Sequence, residues 1–233
     1  MEEDSNMHLV QKYIRALLIE AGASEFQVTP AIQSGSVLYC DMDGVLVNFE
    51  LGAVTLLNRM LDSKNTLGVK TSKTLRKLRA ALGEDWRAQN RADLDIKPVR
   101  NFMFSAISEN PGDYFSALPP LADGVNQLWP YLNSTGYTVK LLTAGVPGRT
   151  GMPTAEEGKK MWAMKNLKPP PTQVILSPAK QKANFAVSGE VTNVLIDDKA
   201  STVQTWNDAG GIGILHIPGG SAETISRLRE LGL

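Results

Sequence analysis

Five short runs of apolar residues recur along the chain and predict five β-strands. The runs are almost continuously apolar and rich in valine, isoleucine and leucine, which is typical of strands that are covered on both faces, as in a parallel sheet. The predicted strands are residues 37–41, 138–143, 173–177, 193–197 and 211–216.

Apolar residues at helical spacing separate the later strands. These patterns predict helices over residues 122–132, 155–167, 200–209 and 222–231. Because strands and helices alternate, we expect a doubly wound α/β fold with a parallel sheet. Ahead of the first strand, residues 8–21 predict an amphipathic helix and residues 23–36 a loop.

The stretch between the first two predicted strands is too long for one crossover. It contains helical patterns at residues 51–61, 72–82 and 99–107, which indicates an inserted helical unit. Ligands of open α/β sheets bind at the carboxyl ends of the strands, so an insertion that leaves from there would cover the site as a cap. We expect three parts, which are an N-terminal helix with its lead-in (1–36), an α/β core (37–50 and 120–233) and a helical cap (51–119).

The composition of the chain argues against several classes of function. The chain has 233 residues and a formal net charge of zero, which does not favour a general binder of nucleic acids or anionic membranes. No apolar run is long enough to span a bilayer, and the acidic start does not resemble a secretory signal. Cys40 is the only cysteine, so an internal disulfide and a thiolate metal site are excluded. We expect a cytoplasmic protein without a membrane partner.

Two acidic pairs lie where predicted buried strands end. Asp41 and Asp43 follow the first strand, and Asp197 and Asp198 follow the fourth. Ionised carboxylates at buried strand ends are costly unless a cation compensates them. A hard divalent cation with oxygen ligands provides that compensation, and magnesium is the expected ion.

Asp41 and Asp43 are two residues apart, so in extended backbone both carboxylates face the same side. One could attack a phosphorus atom while the other protonates the leaving oxygen and later activates water. Gly44 permits the sharp exit that a strand end needs. The alternative is a solvated Asp-Gly turn, which the apolar residues on both sides of this segment disfavour.

Candidate phosphate ligands follow the second and third strands. The hydroxyl of Thr143 and the backbone N–H groups before Gly145, including that of Ala144, could hold phosphate oxygens, although such a strand exit is also an ordinary turn. Lys180 or Lys182 could neutralise a transferring phosphoryl group, although exposed lysines are common.

Adjacent aspartates in a strand point to opposite faces, so Asp197 and Asp198 contact one ion only if the chain turns or if a water molecule bridges one of them to the ion. A helix cap is the other interpretation for one of them.

These residues together resemble the four ordered motifs of the haloacid dehalogenase-like superfamily, and the resemblance covers nearly everything after residue 36. Within it, the chain is most similar to the 5′(3′)-deoxyribonucleotidase-type branch. The supporting residues are Phe49, the run Lys159-Lys160-Met161-Trp162, the run Leu195-Ile196-Asp197-Asp198-Lys199, Trp206 and Gly210-Gly211.

The resemblance implies Asp41 as nucleophile and Asp43 as general acid and base. It implies that Thr143 and one lysine hold phosphate. It also implies that Asp41, the backbone carbonyl of Asp43 and the pair Asp197 and Asp198 surround magnesium. Counting from the third strand favours Lys180, whereas the Lys-x-x-Phe-Ala pattern of residues 182–186 favours Lys182.

The resulting expectation is a magnesium-dependent phosphomonoesterase that forms an aspartyl-phosphate on Asp41. The expected partner is a small phosphomonoester, specifically a (deoxy)nucleoside monophosphate, which makes the protein a 5′-nucleotidase. Phe49 and Trp86 could stack on a base, although aromatic residues more often pack. Cationic residues of the cap could attract an anionic substrate or form a solvated face. The alternatives are a polynucleotide end phosphatase, which would have a nucleic-acid partner, a sugar phosphatase, or a catalytically silent scaffold that binds a phosphorylated ligand.

Overall fold

The structure is a computed structural model that describes residues 32–66, 73–83 and 87–233. The predicted helix 8–21 and Trp86 lie outside the described residues. Within these ranges, none of the helices is both long enough and apolar enough to cross a membrane.

All five predicted strands are present, and their ends differ from the predicted ends by at most one residue. They are β1 (Val37–Cys40), β2 (Thr138–Thr143), β3 (Val174–Leu176), β6 (Val194–Asp197) and β7 (Ile212–Leu215). They form one parallel sheet with the order β3-β2-β1-β6-β7. Two short strands that the sequence pattern did not predict, β4 (Val187–Ser188) and β5 (Val191–Thr192), form a separate antiparallel pair.

Strand β1 lies at the centre of the sheet. Its Cys40 is in register with Leu141 of β2 on one side and with Ile196 of β6 on the other. The chain therefore builds outward through β2 and β3 and then returns to add β6 and β7 on the opposite side. This order confirms the predicted doubly wound α/β fold and places its topological switch point between β1 and β6.

Both faces of the sheet are covered, which explains the continuously apolar strands. Leu38 and Cys40 belong to the large core that contains Trp129 and Trp162. The intervening Tyr39 joins a second cluster on the other face, with Leu142, Leu195 and Trp206. This split follows from the alternation of side chains along a strand.

Among the described residues, five helices lie in the insertion between Asn48 and Pro119. They are α1 (Phe49–Thr66), α2 (Lys73–Leu82), α3 (Arg91–Asp95), α4 (Lys97–Glu109) and α5 (Pro111–Ser116). The pattern predicted α1, α2 and α4 but not the short α3 and α5. Pro111 is a helix breaker in the sequence pattern, yet it begins α5, because proline is tolerated in the first helical turn. The two connections to this insertion lie side by side, since Asn48 N–H donates to the carbonyl of Pro119 at 2.8 Å.

The remaining helices flank the sheet. They are α6 (Trp129–Ser134), α7 (Ala155–Asn166), α8 (Ala200–Asp208) and α9 (Ser221–Glu230), with a 3₁₀ helix at Ala179–Phe185. The predicted helix over 122–132 is present, but its middle is a π-helical turn at Gly124–Leu128, which α6 follows directly. Pro130 lacks the N–H that a continuous α-helix would need at this point, so the hydrogen-bond pattern shifts.

Candidate active site

The two acidic pairs meet at the switch point of the sheet. The Asp41 N–H donates to the carbonyl of Ile196 at 2.9 Å, which ties the end of β1 to the end of β6. The chain bends at Asp198, directly after β6. Carboxylate oxygens of Asp41, Asp197 and Asp198 consequently lie within 4.8 Å of one another. The bend that sequence reasoning required for a shared ion is therefore present.

Gly44 makes room for one of these carboxylates. Its φ is +81°, a left-handed conformation that favours glycine. A Cβ atom at this position would overlap Oδ2 of Asp198. The absence of a side chain at Gly44 therefore lets the Asp198 carboxylate lie against the loop that carries Asp41 and Asp43.

Lys182 lies between two of the carboxylates. Its Nζ is 3.0 Å from Oδ2 of Asp41 and 2.7 Å from Oδ2 of Asp197. The lysine is buried, whereas Lys180, on the same 3₁₀ helix, is exposed. Of the two lysines that the sequence left open, the structure brings Lys182 to the aspartates.

Negative charge exceeds positive charge around Lys182. Burial would lower the pKa of Lys182, but the carboxylates of Asp41 and Asp197 outweigh burial and raise it. Burial and the neighbouring Asp41 raise the pKa of Asp197. Burial together with Asp41 and Asp197 raises the pKa of Asp198 to about 7. In the described part of the chain, no hydrogen bond or ion pair reaches the Asp198 carboxylate.

This excess of negative charge, together with the chemistry of the donor atoms, decides whether a metal ion fits the site. Three carboxylates share one buried ammonium group, and the donor atoms are all oxygens, which is the ligand set of a hard divalent cation such as magnesium. Asp41, Asp197 and Asp198 therefore fit a metal ion. The carboxylate of Asp43 is not part of this group, and the contribution of its backbone carbonyl to a metal site stays a prediction.

A second buried lysine, which sequence reasoning did not select as a site residue, contacts Asp43. Nζ of Lys159, on α7, is 2.6 Å from Oδ2 of Asp43 and 2.7 Å from Oγ1 of Thr143. It also lies 4.5 Å from the ring centroid of Phe115, on α5. Burial raises the pKa of Asp43, and the ammonium of Lys159 only partly offsets that rise.

The predicted phosphate ligands after β2 differ in how deeply they are buried. Thr143 is fully buried, and its hydroxyl accepts the hydrogen bond from Lys159. Ala144 and Gly145 instead line the cavity above the aspartates. The backbone that follows β2 therefore reaches the site directly, whereas the Thr143 side chain lies beneath it.

A cavity of about 500 Å³ opens above the strand ends. Its floor carries Asp41, Asp43, Lys182, Asp197 and Asp198. The insertion contributes its wall, through Phe49, Glu50, Arg91, Phe104 and Phe115. The predicted base-stacking residue Phe49 thus faces the cavity, although it also packs edge-to-face on Tyr114.

Comparisons with known proteins find similar structures only. No protein-family model and no curated protein matches the chain. A haloacid dehalogenase-like family hydrolase from Xanthomonas campestris is 15% identical over 86% of this chain and 94% of its own, with a TM-score of 0.48. A haloacid dehalogenase-like family hydrolase from Streptococcus pneumoniae is 13% identical over 85% and 98%, with a TM-score of 0.46.

A HAD family enzyme from Bacteroides thetaiotaomicron, in complex with magnesium and inorganic phosphate, is 13% identical over 79% of this chain and 95% of its own, with a TM-score of 0.41. At such identities and TM-scores, the likeness carries no argument about activity.

Proposed function

We propose that this protein is a magnesium-dependent phosphomonoesterase of the haloacid dehalogenase-like type that acts on nucleoside monophosphates. One observation carries the proposal, which is that two carboxylates with different surroundings, Asp41 and Asp43, lie on the floor of one cavity. Asp41 contacts Lys182, and Asp43 contacts Lys159. Two carboxyl groups in distinct environments can perform two different roles in one reaction.

Asp41 is the proposed nucleophile because both of its oxygens are held in place. Oδ1 accepts a hydrogen bond from the N–H of Met42 at 2.7 Å, and Oδ2 contacts Lys182. A carboxylate oxygen of Asp41 forms the new bond to phosphorus while the bond from phosphorus to the leaving oxygen breaks. The product of this step is an aspartyl-phosphate on Asp41.

Asp43 is the proposed general acid and base. Burial raises the pKa of Asp43, which helps this carboxyl group carry the proton that passes to the leaving oxygen in the first step. The resulting carboxylate then takes a proton from the water that attacks the aspartyl-phosphate. Phosphate is released, and both aspartates return to their starting states.

Phosphate oxygens would be held on the side of β2 and the 3₁₀ helix. Lys182 and the backbone of Ala144 and Gly145 line the cavity there. The buried hydroxyl of Thr143 lies beneath this backbone and accepts a hydrogen bond from Lys159, so it supports the strand end from below. Magnesium, held by Asp41, Asp197, Asp198 and the carbonyl of Asp43, would offset the negative charge of the phosphoryl group.

The cavity wall supports a nucleotide as substrate. Its volume of about 500 Å³ is within the range of small-molecule sites. Phe49, Phe104 and Phe115 offer aromatic surface for a base or sugar.

A phosphate-release assay across phosphomonoesters tests this proposal. The panel contains 5′- and 3′-nucleoside monophosphates, sugar phosphates and oligonucleotides with a terminal phosphate, each with Mg²⁺. We expect the mononucleotides to have the highest kcat/KM, and excess EDTA to stop turnover until Mg²⁺ is restored. Higher kcat/KM with sugar phosphates or oligonucleotide ends would change the substrate assignment, and no release from any ester would contradict the activity itself.

A further inference from the structure

The buried ammonium of Lys159 has three neighbours and no solvent. The residue is 1% exposed. Two of its donors go to Oδ2 of Asp43 and Oγ1 of Thr143, and its ammonium lies over the ring of Phe115. An ammonium group has three donors, and the face of an aromatic ring attracts a cation, so this environment satisfies the charge on every side.

The carboxylate of Asp43 depends on this one contact. Oδ2 accepts from Lys159, and Oδ1 is buried with no hydrogen-bond partner among the described residues. Asp41 differs, because a backbone N–H and Lys182 hold its two oxygens separately. Loss of Lys159 would therefore leave the Asp43 side chain free to turn, whereas Asp41 would keep both of its contacts.

Rigid elements hold Lys159 behind the cavity. Lys159 does not line the cavity itself, although Asp43 and Phe115 do. The preceding Gly158 lies against the carbonyl of Gly112 on α5, where a Cβ atom would overlap that oxygen. Nε1 of Trp162 donates to the carbonyl of Leu118 at 2.7 Å. Helix α7 is thereby fixed to the end of the insertion, and Lys159 has a defined position.

We propose that Lys159 is a positioning residue, which holds the carboxyl group of Asp43 where it can deliver its proton to the leaving oxygen. The proposal rests on the proposed function. Lys159 acts through Asp43 and does not touch the substrate. A buried ion pair of this kind contributes little net stability compared with apolar packing, so precise placement of the acid is the more specific role for it.

The test compares two leaving groups in the full-length protein. A nucleoside 5′-monophosphate releases a basic alkoxide that needs a proton, whereas 4-nitrophenyl phosphate releases a stable phenolate that does not. The constant kcat/KM covers the steps up to loss of the leaving group. For Lys159→Met we expect kcat/KM to fall about 100-fold with the nucleotide and less than about 5-fold with 4-nitrophenyl phosphate.

Lys160→Met is the matched control. Lys160 is the next residue on α7, but it is exposed and pairs with Glu156. We expect this variant to change kcat/KM by less than about 2-fold with either ester, since exposed ion pairs have small effects. The second half-reaction also needs Asp43, so Lys159→Met should show a burst of 4-nitrophenol that the control lacks.

Each outcome of this comparison either supports or contradicts the proposed role of Lys159. Equal losses with both esters in a folded Lys159→Met variant would show a general structural role, and unchanged kcat/KM with the nucleotide would show no role at all. If Lys159→Met lacks a cooperative thermal transition, Lys159→Gln, which keeps a donor, takes its place in the same comparison. A wild-type protein that hydrolyses neither ester would overturn the proposed function and this inference with it, whereas an active wild type isolates the role of Lys159.

Discussion

The site has two lysine-centred halves that differ in charge balance. Lys182 faces Asp41 and Asp197, with Asp198 close by, so one ammonium group meets three carboxylates. Lys159 faces a single carboxylate, that of Asp43, and the rest of its surroundings are a hydroxyl and an aromatic ring. The first half has excess negative charge, and the second is balanced.

This difference is the physical basis for proposing that the first half binds a cation and that the second half transfers a proton. Excess carboxylate charge in a buried place is relieved by a metal ion or by protonation. The Lys159–Asp43 pair has no excess negative charge to attract a metal ion, so its carboxyl group is left available for the proposed proton transfer. Electrostatics alone thus separate the proposed nucleophile, Asp41, from the proposed acid and base, Asp43, although both lie on one loop between β1 and α1.

The largest expected effect is that variants of Asp41 and Asp43 differ in how their kcat/KM depends on the leaving group. Asp41→Asn should reduce kcat/KM by at least about 1,000-fold with every phosphomonoester, because the bond to phosphorus can no longer form. Asp43→Asn should approach that loss only with nucleotides, and 4-nitrophenyl phosphate should be affected much less. Steady-state kinetics of both variants with both esters measures this, and equal profiles for the two variants would remove the division of roles.

The next prediction concerns stability and compares the two lysines. Lys182→Met leaves three carboxylates without their ammonium, and in metal-free protein it should lower the free energy of unfolding by about 3–5 kcal/mol. Mg²⁺ should restore most of that loss. Mg²⁺ should restore little stability in Lys159→Met, because the carboxylate that loses its ammonium partner there, that of Asp43, lies outside the metal group. Urea unfolding with Mg²⁺ and with EDTA measures both, and equal rescue of the two variants would contradict the proposed charge balance.

The clustering of Asp41, Asp197 and Asp198 was predictable from sequence because its signals are local. Apolar strands that end in carboxylates mark Asp41 and Asp197 directly, and the parallel topology requires neighbouring strand ends to meet. The choice between Lys180 and Lys182 was not local, since it depends on the turn of a 3₁₀ helix. In that helix Lys182 points inward and Lys180 is exposed.

The acid half was harder to predict because Lys159 is 116 residues away from Asp43 along the chain. Its neighbours Glu156, Glu157 and Lys160 give the helix start a solvated character. One signal was present, however. Lys159 is three residues before Trp162 and four after Ala155, both buried, so helical spacing places it on the apolar face of α7. A charged residue on such a face is worth testing as a site residue.

A smaller effect is expected from the glycine that accommodates Asp198. Gly44→Ala would push its methyl group into the Asp198 carboxylate, so the apparent affinity for Mg²⁺ should fall about 10-fold. Gly35→Ala is the matched control, because Gly35 also has a positive φ, of +95°, but no atom lies near its would-be Cβ. Both variants should lose similar stability from backbone strain. Mg²⁺ titration of activity distinguishes them, and an unchanged Mg²⁺ requirement in Gly44→Ala would remove Asp198 from the metal group.

The smallest expected effect is the pH dependence of stabilisation by Mg²⁺. Burial and the nearby carboxylates raise the pKa of Asp198 to about 7 in the folded, metal-free protein, above its value in the unfolded chain. The folded state therefore binds a proton that the unfolded state has lost, and this contribution to stability disappears as the pH rises through about 7. Mg²⁺ competes with that proton, so the stabilising effect of Mg²⁺ should grow over the same pH interval.

Thermal unfolding should show an increase in Tm with saturating Mg²⁺ of about 5–10 °C at pH 8 and less than half of that at pH 5.5. The difference between the two pH values should shrink in Asp198→Asn, and an equal increase at both pH values in the wild type would show that Mg²⁺ and the proton do not share this carboxylate.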